Sequence, residues 1–112
     1  MDFVVKREKW ARGGGGDGTK LRNPIDGRMC CLGFCALQIG AAEVQIDDRA
    51  YPASTGCNIE HLTLRDDKGR LHDAEMSIRA AAINDDGKIA DAVREQKLIA
   101  LFSFYGHTIR FE

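Results

Sequence analysis

The chain lacks a surplus of either charge, a long hydrophobic run and any internal repeat. Sixteen basic residues against seventeen acidic ones leave a formal charge of −1. That supplies neither the basic field of a nucleic-acid binder nor the acidity of a DNA mimic, so direct nucleic-acid binding is not expected. The longest apolar stretch, residues 29–42, is interrupted by Gln38 and runs for about fourteen residues, too short to cross a bilayer. No membrane association is expected. The first apolar run after the start is Phe3-Val4-Val5, shorter than a signal peptide requires. The four cysteines are therefore expected in a reduced, cytoplasmic setting.

What is present suffices for one domain over residues 1–112, with 44% hydrophobic and 29% charged residues to make a core and a solvated surface. Residues 4–12 read as a short amphipathic helix anchored by Trp10, with a strand at Phe3-Val4-Val5 as the alternative. "NPIDG" between residues 19–22 and 28–31 predicts a hairpin, since Pro24 sets a turn and Gly27 permits one. From Cys31 to Ile39 the apolar positions are too dense for one stripe, which predicts a helix buried all round. Residues 47–58 read as an irregular loop, and residues 61–66 and 70–72 as a second hairpin across "DDKG". A short helix is expected at 74–83 and a stronger one from Asp91, whose carboxylate is suited to an N-cap. Leu98, Leu101, Phe102 and Tyr105 stand at i, i+3, i+4 and i+7, a stripe expected to pack on the 31–39 helix. His107, Ile109 and Phe111 alternate as one face of a closing strand. The expected fold is α+β: a buried central helix, a C-terminal amphipathic helix and short antiparallel hairpins.

Gly13, Gly15 and Gly18 satisfy G-x-G-x-x-G, and "GGGGDGTK" approaches the phosphate-loop pattern. A phosphate loop leaves a hydrophobic strand and opens a helix, so that backbone amides face the phosphates. Neither flank complies: residues 6–12 are largely charged, Pro24 interrupts any helix after Lys20, and Thr19-Lys20 stand in reversed order. The expectation is a flexible loop over residues 13–18, because glycine loses the most backbone entropy on ordering.

The cysteines carry three readings. Cys30, Cys31 and Cys35 serve as small hydrophobes in a buried helix. Alternatively, Cys31, Cys35, Cys57 and His61, paired at helical spacing, make a tetrahedral zinc site and the chain a zinc-stabilised binding module. The third reading takes Cys30 or Cys31 at a helix start as a nucleophile, with His61 or His107 as base and Asn84 as the orienting group. Asp85-Asp86-Gly87 is no EF-hand loop, since Ala82 would stand at its first position. The acidic pairs read as turn residues and as surface contacts: Asp47 and Asp48 with Tyr51 in one loop, Asp66 and Asp67 in another, Asp85 and Asp86 in a third. For Tyr51 a satellite core contact is the alternative.

"GRMCCLGFCAL", followed later by "AAINDDGKIADAVREQKLIALFSFYGHTIRFE", resembles a loose group of small phage and prophage proteins of undetermined activity. The shared elements are Lys9-Trp10, a Cys-Cys-Leu-Gly helix at Cys30 to Gly33, and the Ile83-Asn84-Asp85 turn before a final helix; residues 43–75 fall outside the resemblance. It implies a phage origin and hence the cytoplasm of an infected or lysogenic bacterium, and it brings no catalytic residues. It further implies an accessory protein that binds a host protein, as an inhibitor of an antiphage defence system such as an anti-CRISPR would. No cofactor is expected on this reading; zinc belongs to the metal alternative.

Overall fold

The centre of the fold is α1, Cys31–Gln38, in which every residue from Cys31 to Ala36 is buried. The run Cys31 to Ala36 is apolar all round, so neighbours must cover it on each side. The computed structural model describes residues 1–14, 19–56, 58 and 62–112. Cys57, His61 and residues 15–18 of the glycine-rich segment, expected to be flexible, lie outside the described residues.

Beside α1 stands β1, Asp2–Val5, which pairs in parallel with β4, Thr108–Phe111, through the register Phe3↔Ile109 and Val5↔Phe111. Of the two readings of this stretch, the strand at Phe3-Val4-Val5 forms and the helix over residues 4–12 does not: β-branched Val4 and Val5 continue an alternation that buries Phe3 and Val5, and the charged run after them makes only a 3₁₀ turn, Arg7–Lys9. The exposed Gln38 at the end of α1 completes the outer edge of β1: its Nε2 donates to the Val4 carbonyl at 2.6 Å and its Oε1 accepts the Val4 amide at 2.9 Å. One side chain thus does what a third strand would do at that position.

The turn predicted at "NPIDG" is present, with the Asn23 amide donating to the Arg28 carbonyl at 2.8 Å and Gly27 at φ +73°. Its arms do not zip into a hairpin. Leu21 donates to the Arg49 carbonyl and Met29 exchanges hydrogen bonds with Lys9 and Ala11, so each arm pairs with a different segment. The second hairpin forms as read: β2, Thr63–Arg65, pairs antiparallel with β3, Leu71–Asp73. Between α1 and this hairpin lie a single helical turn, α2, Glu43–Ile46, and a 3₁₀ turn, Pro52–Thr55, within the segment expected to be irregular.

Two longer helices complete the α+β domain, α3 at Glu75–Asp85 and α4 at Asp91–Phe104. The apolar stripe of α4 is real: Leu98 and Phe102 are fully buried, and Leu101 and Tyr105 pack against the core. It rests chiefly on α3 and β4 rather than on α1, because the terminal strand pair and α3 already flank α1. Phe102 meets Phe3 edge to face at 5.8 Å between centroids. Ala90, not Asp91, is the N-cap residue; Asp91 is the first helical residue, where its charge favours the helix dipole and pairs with Arg12 at 3.1 Å.

Gly33 is required for its lack of a side chain. A Cβ at this position would lie 1.9 Å from the Leu21 carbonyl oxygen, so the 21–22 segment crosses α1 in direct backbone contact. This crossing brings residues 19–21 over the N-terminal end of α1, beside Cys30.

Candidate functional site

The carbonyl of Lys20 accepts the Cys30 amide at 3.2 Å, and Asp85 Oδ2, at the end of α3, accepts the Thr19 amide at 3.1 Å. These bonds tie the 19–21 segment to two helices and leave a pocket between it, the 50–51 loop and α3. The pocket encloses about 70 Å³ and is lined by Thr19, Lys20, Cys30, Ala50, Tyr51, Ala81 and Asp85. Its walls combine the small Cys30, Ala50 and Ala81 with the polar Thr19 and the amphipathic Tyr51. At its edge stand one cation and one carboxylate.

Of the residues read as surface contacts, Tyr51 and Asp85 meet at this pocket, and Tyr51 keeps 41% of its surface exposed. Asp47 and Asp48 lie just before Tyr51 but are engaged: Asp47 binds Arg22 at 2.6 Å, and Asp48 lies 3.6 Å from Lys20 Nζ. Asp48 has φ +57°, a left-handed conformation that a short polar residue tolerates better than a branched one. Asp86 holds the turn after α3 by accepting the Lys88 amide. Asp66 organises the β2–β3 turn, accepting from the amides of Lys68 and Arg70, the Arg70 side chain and His72. The His72 and Arg70 contacts lower its pKa to about 2. Asp67 is exposed at the same turn. Asp66 and Asp67 are thus placed on the hairpin, apart from the pocket-lining set.

The three described cysteines are buried thiols. Burial pushes the Cys30 thiol up to about 12 and those of Cys31 and Cys35 well above their ordinary range, outweighing the backbone hydrogen bonds that lower Cys30. The neutral thiol is therefore the form present near pH 7, and a poor nucleophile. Asn84 bonds to four groups of the core and of α3. Its Oδ1 accepts from Trp10 Nε1 at 2.8 Å and from the Cys31 amide at 3.1 Å, while its Nδ2 donates to the Ala11 carbonyl and Asp85 Oδ1. The His107 ring packs on Phe3 at 5.7 Å and its Nδ1 lies 3.0 Å from the terminal amine. For the zinc reading, Cys31 and Cys35 share α1, while Cys57 and His61 lie outside the described residues; among the described residues no three potential ligands form a metal-binding group.

Sequence reading missed the parts of the pocket contributed by Thr19, Lys20, Ala50 and Ala81. No local signal marks them, since Thr19 and Asp85 are 66 positions apart and meet only through the crossing over Gly33. It also missed Arg94, which is 3% exposed. Arg94 Nη1 donates to the carbonyls of Ile83, Asn84 and Asp86, and Nη2 to that of Ile89. This guanidinium closes the C-terminal end of α3, where carbonyls lack partners, and so fixes Asn84 and Asp85 in place.

No protein-family model, curated protein or solved structure matches this chain. Among the described residues no helix is long and apolar enough to cross a membrane.

Proposed function

We propose that the chain is an accessory protein of phage or prophage origin that binds a host protein and antagonises an antiphage defence system, a CRISPR system among the targets to test. The observation that carries the binding part of this reading is that Tyr51 and Asp85, from two separate candidate contact loops, line one pocket on a braced scaffold. A half-exposed tyrosine beside a pocket offers apolar area and a hydroxyl at small entropic cost, the usual make-up of an interface anchor. The buried, protonated thiols support binding over nucleophilic chemistry. The phage origin and the defence target rest on the resemblance of the Cys-Cys-Leu-Gly helix and the Ile-Asn-Asp turn.

The test is phage plaquing on a bacterium with an active defence system, expressing wild type, Tyr51→Ala or Cys31→Ala from a plasmid. Wild type should raise plaquing and folded Cys31→Ala should match it. Tyr51→Ala should weaken binding to the captured partner by about 1 kcal/mol or more. Loss of activity in folded Cys31→Ala would return the enzyme and metal readings; full activity in Tyr51→Ala would remove this face as the contact.

A further inference from the structure

We propose that the pocket between the 19–21 segment, Tyr51 and α3 receives one basic side chain of the partner, its cation at Asp85 and its alkyl stem against Ala50, Ala81 and the Tyr51 ring. This rests on the protein-binding reading above and names the chemistry of the contact. Asp85 is partly buried and held by two neutral donors, the Thr19 amide at 3.1 Å and Asn84 Nδ2 at 3.0 Å. These fix its direction without neutralising it. A carboxylate offers about four acceptor positions, so capacity remains for a third donor. Among the described residues no cation pairs with it, whereas the other ion at the pocket, Lys20, is turned to Asp48 at 3.6 Å. Lys20, Asp48 and Asp85 together carry −1.

Other occupants fit less well. An acidic side chain would face the Asp85 charge in a partly enclosed site where solvent screens little. A wholly apolar one would bury a carboxylate without a counter-charge. The lining by Ala50, Ala81 and Cys30 suits the methylenes of a basic side chain.

The experiment is an amide-resolved NMR titration of the whole chain with blocked lysine (Nα-acetyl-lysine methylamide), blocked arginine, and blocked norleucine as the neutral isostere. The amides of Thr19, Tyr51 and Ala81 should shift saturably with the basic compounds. Asp85→Asn keeps the shape and an acceptor for the Thr19 amide, and should weaken that binding about fivefold to tenfold. Tyr51→Ala, at an exposed position, provides a second variant should Asp85→Asn disturb the fold. The proposal is overturned by norleucine binding as well as lysine, by unchanged lysine binding in Asp85→Asn, or by no shift at these amides up to about 50 mM ligand. Basic-ligand binding without any effect of the variants on plaquing would sustain the pocket and remove the proposed function. Partner binding that needs Tyr51 but not Asp85 would do the reverse.

Discussion

The side-chain oxygen of Asn84 accepts the indole N–H of Trp10 at 2.8 Å, joining the end of α3 to the residue that closes one side of the core. The same oxygen accepts the Cys31 amide, so it satisfies one of the orphan donors at the start of α1. Asn84 is fully buried and both ends of its amide are used. Asn84→Ala should cost about 3 kcal/mol or more, because the Trp10 N–H and the Ala11 carbonyl each lose a buried partner worth about 1–3 kcal/mol. Reversible urea unfolding measures this; a cost under about 1 kcal/mol would mean that water or a relaxed backbone replaces the amide.

Gly33→Ala tests the crossing of the 21–22 segment over α1. In an ordinary helix interior the change gains up to about 1 kcal/mol. Here the new Cβ meets the Leu21 carbonyl at 1.9 Å, and backbone must move. The net effect should be a destabilisation of about 3 kcal/mol or more. A variant as stable as wild type would show that the segment does not lie against α1.

Arg94→Lys keeps the charge but loses the planar fork that serves four carbonyls. It should destabilise by about 2–4 kcal/mol, with Arg94→Leu worse, since carbonyls at the end of α3 then lose their donors. Hydrogen exchange should rise first at the last turn of α3. Equal stability of the lysine variant would reduce Arg94 to a point charge.

The thiols predict an alkaline limit. Cys30 titrates at about 12 in the folded chain against an ordinary 9.0, so below 9 both states are protonated and nothing is lost. Between 9 and 12 the unfolded chain releases its proton first, and stability falls by about 1.4 kcal/mol per pH unit for this thiol. Lysine and tyrosine titrate in the same range, so the readout is the difference between wild type and Cys30→Ala: the variant's slope above pH 9 should be shallower by about one proton. Identical slopes would place Cys30 in contact with water.

Periodicity in the sequence was enough to determine α1, the stripe of α4 and the β2–β3 hairpin, because each depends on which nearby residues are apolar. Cys31 to Ala36 have no polar side to show solvent, and Leu98, Leu101, Phe102 and Tyr105 share one face whatever they pack against. Tyr51 and Asp85 also stood out in the sequence as candidate contact residues. Their meeting at one pocket was not. It depends on Gly33 admitting Leu21, on Asn84 linking Trp10 to α1, and on Arg94 closing α3, contacts between residues 10 to 74 positions apart. The strand at Asp2–Val5 was decided the same way. Its residues suited strand and helix alike over so short a run, and the choice fell to β4, which supplies backbone partners that no local pattern announces.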